Sequence, residues 1–272
     1  MLSAKLVLAG CGKMGRALLE GWLQRGIHRE HICIVEVDAA RANELRAAFS
    51  VMVVNAAAGV PSDFQPAGVV FAVKPQNMEG LVGDYARFAV EGCVFLSIAA
   101  GRPIAFFERH LGAKSAVVRA MPNTPAIVKR GMTVAVANAQ VTPDKKRLCH
   151  DLLESVGEVR WIDDEPWMDA VTAVSGTGPA YVFLLTECLA EAGVEAGLPP
   201  ALAAELARNT VGGSGELLLG STDTPETLRL NVTTPGGTTA AAMLVLMGPD
   251  GLRQLMVRAV ANATKRSRKL GG

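Results

Sequence analysis

A doubly wound α/β domain followed by an all-helical domain is the fold class that this 272-residue sequence predicts. Three observations carry it. Short apolar, β-branched runs alternate with helical stretches up to about Trp161. Those runs lack polar alternation, as strands do when helices cover both faces of a parallel sheet. From about Asp163 onward such runs vanish, and helical patterns punctuated by Gly and Pro take over.

In order, the strand-like runs are 6–9, 31–35, 68–73, 93–98 and 116–118, and the helical stretches between them include 14–24, 39–49 and 77–90. Strand, helix, strand in succession is the doubly wound pattern. In the second part, Pro179 and Pro200 stand where a first-turn proline starts a helix well. A helix over 179–192 carries Tyr181, Leu184, Leu185, Cys188, Leu189 and Ala192 as a wide apolar stripe. The next has Leu202, Leu206, Thr210, Gly213 and Leu217 on one face, with small residues that admit a close neighbour. The reading places one domain at 1–162 and the other at 163–272. So much apolar helix in the latter calls for burial by a second subunit.

Bulk properties exclude several function classes. Half the residues are apolar, about a fifth are charged, and the net charge is +1. No field of one sign points to nucleic acid or an anionic membrane. The basic cluster Lys265-Arg266-Ser267-Arg268-Lys269 ends a helical stretch, where cations complement the dipole. Cys11, Cys33, Cys93, Cys149 and Cys188 form no CxxC pair and no Cys/His cluster. They read as buried, reduced thiols of a cytoplasmic protein without a metal site or a disulfide framework. A strand-like run beginning near Lys5 leaves no room for a signal peptide. No apolar stretch is long enough to span a bilayer.

The run 6–9 leads directly into Gly10-Cys11-Gly12-Lys13-Met14-Gly15 and then into an amphipathic helix. Each glycine in such a loop has a reason. The first permits the tight turn, the second lets the backbone approach a pyrophosphate, and the third allows close helix packing. The helix N-terminus offers unpaired N–H groups to the phosphates. Alone the pattern is weak. Here it has the strand before it, the helix after it, and Glu36 and Asp38 at the end of the next strand, where an acid binds ribose hydroxyls. The first domain is therefore expected to be Rossmann-type and to bind NADH or NADPH. A carboxylate at Glu36 repels a 2′-phosphate and favours NADH. The alternative has Glu36 turned to solvent and Arg41, one helical turn on, holding that phosphate.

Open α/β sheets bind ligands beyond the carboxyl ends of their strands. Three such ends carry short motifs: Ala72-Val73-Lys74-Pro75-Gln76, Ser97-Ile98-Ala99-Ala100-Gly101 and Met121-Pro122-Asn123-Thr124-Pro125. Ala99 and Ala100 leave room for a flat ring, and Asn123 and Thr124 suit the ribose or carboxamide of the nicotinamide half. Lys74 suits cofactor phosphate or ribose rather than proton transfer. The second domain has two Gly-rich stretches, Ser175-Gly176-Thr177-Gly178-Pro179-Ala180-Tyr181 and Thr233-Thr234-Pro235-Gly236-Gly237-Thr238-Thr239. Each leads into a helix, and each is either an anion cradle of N–H groups and hydroxyls or a tight helix–helix turn.

Taken together, the glycine loop, the two strand-end motifs at 72–76 and 121–125 and the two Gly-rich stretches resemble pyrroline-5-carboxylate reductase over nearly the whole chain. The late motifs are the specific ones. Met243 and Met247 depart from the wider signature, and Glu36 replaces the more usual Ser or Asn. The resemblance implies reduction of the cyclic imino acid Δ1-pyrroline-5-carboxylate to L-proline by hydride transfer from a nicotinamide. It also implies a homodimer with interleaved C-terminal domains, often built into a decamer. By motif, Thr239 hydrogen-bonds the ring nitrogen. Backbone groups around Gly236, Gly237 and Thr238, with the Thr234 hydroxyl, hold the substrate carboxylate, and Ser175 and Gly176 belong to the same site.

The histidines agree with that implication. His28, His31, His110 and His150 all lie in the first domain, whereas a hydroxy-acid dehydrogenase with a His acid/base needs one near its substrate. An imine can arrive protonated, so positioning and a hydroxyl hydrogen bond suffice. Glu187 is the remaining candidate proton donor, or simply a residue near a subunit interface. Two rivals stand. A related imine or β-hydroxy-acid reductase is one, although the latter needs a Lys that 179–192 lacks. The other is a non-catalytic dinucleotide-sensing dimer, which has no need of an anion-binding turn.

Overall fold

The computed structural model describes residues 4–271. Two compact units divide the chain. One comprises the residues up to Gly176 together with those from Thr264 on, and the other is Thr177–Ala263.

The first unit is built on one eight-stranded sheet. Its strands are β1 (Leu6–Ala9), β2 (Ile32–Val35), β3 (Met52–Val54), β4 (Gly68–Phe71), β5 (Val94–Ser97), β6 (Val117–Met121), β7 (Gly131–Ala137) and β8 (Gly157–Trp161). Their spatial order is β3-β2-β1-β4-β5-β6-β7-β8. All neighbours pair parallel except β6 and β7, which are antiparallel. Every residue of β1, β2, β4 and β5 is buried, as the unalternating runs predict. The two-residue strand period sends neighbours to opposite cores. Leu6, Leu8, Ile32, Ile34 and Leu96 pack on one face with Leu18, Leu19 and Trp22 of α1 (Lys13–Gln24) and Leu45 of α2 (Ala39–Phe49). Val7, Cys33, Val69, Phe71 and Phe95 pack on the other, with Phe106 and Phe107 of α3 (Ile104–Leu111) and with Tyr85. On the first face α4 (Pro143–Glu154) docks against α1, where the Trp22 Nε1–H donates to the Leu152 carbonyl at 2.9 Å.

One element differs from expectation. The stretch 77–90 is no α-helix: a 3₁₀ turn, Pro75–Asn77, ends where it begins, and it holds one 3₁₀ segment, Val82–Phe88. Gly80 and Gly83 each cost about 1 kcal/mol against Ala in a helix interior, and the aromatic residues are satisfied by packing on the sheet without helical continuity. Tyr85, at 1% exposure, meets Phe71 edge-on at 5.2 Å between ring centroids. Its hydroxyl has no hydrogen-bond partner among the described residues, and burial pushes its pKa up. Tyr85→Phe removes an unsatisfied buried group and is expected to raise stability by about 1 kcal/mol. A lower denaturation midpoint in urea would show that the hydroxyl is satisfied in solution.

After β8 comes a short helix, α5 (Met168–Val171), and a π-helical turn, Thr172–Gly176. The second unit holds α6 (Gly178–Glu195), α7 (Pro200–Gly220), α8 (Pro225–Asn231), α9 (Thr238–Leu246) and the start of α10 (Leu252–Gly271). It contains no strand. Neither α6 nor α9 buries a single residue within the chain, and Phe183, Leu184, Leu244 and Val245 are exposed. No described helix is long and apolar enough to cross a membrane.

Candidate active site

The glycine loop is built as the sequence demands. Gly10 has φ +81°, and a Cβ there would strike the Val73 side chain. Only glycine takes that turn without strain. A Cβ on Gly15 would lie 2.8 Å from the Gly10 carbonyl oxygen, so the start of α1 can sit against the loop only with a bare residue there. Gly12 is the N-cap of α1 and has no side-chain cap; a Cβ on it would meet nothing within 4 Å. That open space, faced by uncapped helical N–H groups, fits a dinucleotide pyrophosphate. Lys13 is exposed and Met14 half-buried.

Sheet order explains why the other motifs matter. Strands β1, β4, β5 and β6 are adjacent and parallel, so their carboxyl ends share one edge. The glycine loop, Ala72-Val73-Lys74-Pro75, Ala99-Ala100-Gly101 and Met121-Pro122-Asn123-Thr124 follow those ends. Lys74 and Thr124 are exposed there, and Ala99 is buried. The Asn123 side chain works as a strut. Its Oδ1 accepts from the Met132 N–H at 2.9 Å, and its Nδ2 donates to Ser175 Oγ at 3.3 Å.

Glu36 is not turned to solvent. At 5% exposure its Oε2 accepts from the Cys11 N–H (3.1 Å) and its Oε1 from the Asp38 N–H (3.0 Å). Arg41 Nη1 stands 3.4 Å from Oε2. The carboxylate thus grips the glycine loop and is shielded by a guanidinium. Asp38 caps α2 instead, its Oδ1 accepting from the Arg41 N–H at 2.8 Å. The Cys11 thiol is pushed up to about 12, chiefly by burial and then by Glu36, so it offers no nucleophile. Cys11 contributes its backbone only.

The two Gly-rich stretches diverge. Ser175 and Gly176 do not lie in an open loop, a departure from the expected cradle. They end the π-helical turn, whose i→i+5 bonding keeps backbone amides within the helix. A Cβ on Gly176 would strike Met121. The second stretch is a tight turn opening α9. Gly236 has φ +71°, Gly237 is the N-cap, and the Gly237 N–H donates to the Thr234 carbonyl at 3.0 Å. A Cβ on Gly237 would strike Thr234 Oγ1, so bare backbone and hydroxyl share one spot. Thr238 and Thr239 begin the helix, where amides lack intrahelical acceptors. An N-terminus dressed with hydroxyls suits a small carboxylate. Glu187 is exposed on α6.

Residues that the motifs do not reveal also organise this edge. Arg102 donates from Nε (3.1 Å) and Nη2 (3.0 Å) to the Pro75 carbonyl, joining the strand-end turns after β4 and β5.

Residues 165–270 match the family model for pyrroline-5-carboxylate reductase dimerisation, and residues 5–101 match that for coenzyme F420-dependent NADP oxidoreductases. Fold and site together define a two-domain, NAD(P)-binding oxidoreductase that works as a homo-oligomer on a small molecule. The chain is 36% identical to the pyrroline-5-carboxylate reductase of Pseudomonas aeruginosa, over 99% of this chain and 98% of that one. It superposes with a TM-score of 0.91 on the Coxiella burnetii pyrroline-5-carboxylate reductase (31% identical, 99% of both chains). Against Plasmodium falciparum pyrroline carboxylate reductase, solved with NADP bound, the TM-score is 0.84 (28% identical, 100% of both). This chain belongs to the pyrroline-5-carboxylate reductase family.

Proposed function

We propose that this protein reduces Δ1-pyrroline-5-carboxylate to L-proline, the last step of proline synthesis, at the expense of a reduced nicotinamide dinucleotide. The observation that carries the reading is the turn opening α9, where Gly237 leaves no room for a side chain beside the Thr234 hydroxyl. A cyclic imino acid offers a carboxylate for that turn and a ring nitrogen for the hydroxyl of Thr239.

When bound, the cofactor supplies a hydride to the carbon of the C=N bond. The protein's residues do the rest. Gly10 and Cys11 shape the loop, their own amides taken by the Val35 carbonyl and Glu36, and the amides of Gly12, Lys13, Met14 and Gly15 at the start of α1, with its dipole, hold the pyrophosphate. Glu36 takes the adenosine ribose, and its charge, already aligned by the Cys11 and Asp38 amides, disfavours a 2′-phosphate. NADH is thus preferred. Ala72, Val73, Lys74 and Pro75 line the middle of the cofactor, and Ala99, Ala100, Asn123 and Thr124 its nicotinamide half. Thr234, Gly236, Gly237 and Thr238 hold the substrate carboxylate, with Ser175 and Gly176 bordering the same site. The protonated iminium N–H donates to the Thr239 hydroxyl oxygen, and the hydroxyl can donate in turn to the lone pair that forms on the nitrogen as it becomes an amine. No side-chain acid is then required.

The working form is a homodimer with interleaved C-terminal domains, which a decamer can be assembled from, in the cytoplasm. Residues 1–162 serve the dinucleotide, and 163–272 serve dimerisation and substrate.

Purified protein mixed with NADH and pyrroline-5-carboxylate is expected to lose absorbance at the nicotinamide band and to form proline. No oxidation with either NADH or NADPH defeats the reading. Catalytic efficiency is expected to favour NADH; a strong NADPH preference removes the role given to Glu36. In Glu36→Ser the ratio of NADH to NADPH efficiency should fall at least about tenfold, equivalent to 1.4 kcal/mol. Thr239→Ala loses one hydrogen bond to the reacting nitrogen, worth roughly 0.5–1.5 kcal/mol and up to about 3 if the nitrogen is charged. Turnover should drop accordingly, and wild-type kinetics would take Thr239 out of the site.

A further inference from the structure

The turn 99–101 after β5 is held from two sides by residues far from it in sequence. Behind it lies the end of α10. A Cβ on Gly101, which has φ +71°, would sit 2.9 Å from Leu270 Cβ and 3.3 Å from the Leu270 carbonyl carbon. A Cβ on Gly271 would sit 3.1 Å from the Gly101 carbonyl oxygen. Backbone therefore rests on backbone, at a distance only glycine permits.

The end of α10 is itself anchored. Ser267, at 4% exposure, donates its hydroxyl to Asp169 Oδ1 at 2.6 Å, and Arg268 Nε lies 3.9 Å from Asp169 Oδ2. Four residues before Asp169, Glu165 holds the other side of the turn. Its Oε1 accepts from the Ile104 N–H and from Arg119 Nη1, both at 2.9 Å, and the Arg119 side chain is only 8% exposed. The segment after β8 thus grips the start of α3 with one carboxylate and the end of α10 with the next. Between the two points lies the turn that receives the nicotinamide half of the cofactor.

We propose that Ser267 and Asp169, with the last turn of α10, are positioning residues that fix the turn 99–101 for hydride transfer. The inference rests on the assignment of that turn to the nicotinamide side. The adenosine half, held at the glycine loop, does not feel the brace. Loosening it should let the nicotinamide wander from the attack geometry while the cofactor stays bound, and small misplacements of reacting groups are costly.

The test compares wild type, Ser267→Ala, Asp169→Asn and a chain ending at Lys269. Wild-type turnover with pyrroline-5-carboxylate is measured first; its absence refutes the functional reading and this inference with it. Given activity, Ser267→Ala and the shortened chain are expected to lose kcat roughly tenfold, with cofactor Kd, followed by nicotinamide fluorescence, changed by less than about twofold. The primary isotope effect from deuterium at the transferring carbon should rise as hydride transfer becomes limiting. Asp169→Asn keeps an oxygen acceptor for Ser267 and should stay near wild type. If the shortened chain does not fold, Ser267→Ala decides. Unchanged kcat and isotope effect in that variant, or a loss of activity that follows cofactor Kd or melting temperature with no change in isotope effect, overturns the proposal.

Discussion

Gly237→Val is expected to abolish imine reduction at accessible substrate concentrations while leaving dinucleotide binding intact. The local geometry leaves little choice. Even a methyl group at this position would strike Thr234 Oγ1, and Gly237 is also the N-cap that aims the first amides of α9. The Gly237 N–H to Thr234 carbonyl bond closes the turn, so the clash cannot be relieved without opening it. Valine's branched side chain adds bulk at the proposed carboxylate site. A displacement of about 1 Å in a positioned reactant costs on the order of 100-fold, and here carboxylate and ring nitrogen shift together. The substrate KM should rise by at least that factor. NADH or NADPH titration should be unaltered, because the glycine loop belongs to the other compact unit. Gly237→Ala should give an intermediate loss. Unchanged substrate KM in the valine variant would make the turn a structural corner and nothing more.

The turn was legible beforehand because all its parts are contiguous. The same holds for the glycine loop and the strand-end motifs, which sequence order and sheet order bring to one edge. The central strands were legible because burial on both faces leaves them almost wholly apolar, Ser97 and Arg119 being the exceptions in β5 and β6. Three strands carry no legible run: β3 and β8 are sheet edges with a single buried residue each, and the interior β7, antiparallel to β6, has Thr133 within it and no helical stretch before it to mark a strand–helix–strand unit. The pairs that hold the site in place are different in kind. Glu36 with Cys11, Arg102 with Pro75, Glu165 with Arg119 and Asp169 with Ser267 are separated by 25, 27, 46 and 98 positions. No local periodicity encodes such partners. Glu36 shows the consequence: its presence suggested a ribose ligand, but not that one oxygen already holds the loop amide. Asp38, two residues on, has a local role as a helix cap that its place before an apolar-periodic stretch encodes.

Leu244→Asp is expected to break the homo-oligomer. Within one chain Leu244 and Val245 are 80% and 76% exposed, and α9 has no buried residue. A helix that is apolar all round is stable in water only when something covers it. The match to a dimerisation family over 165–270 makes a second copy the expected cover. Burying a leucine contributes roughly 1.5–3 kcal/mol, and placing an unpaired carboxylate in the same contact costs several more. Twofold symmetry counts each substitution twice. The dimer dissociation constant should therefore rise by roughly four orders of magnitude or more. Sedimentation at micromolar concentration should report a monomer in place of the wild-type oligomer. Because α9 also opens with the turn proposed to bind substrate, activity should fall with the oligomer, and both should return together at high protein concentration. A variant that sediments as wild type would place Leu244 outside the interface and leave another face of the helical unit to pair.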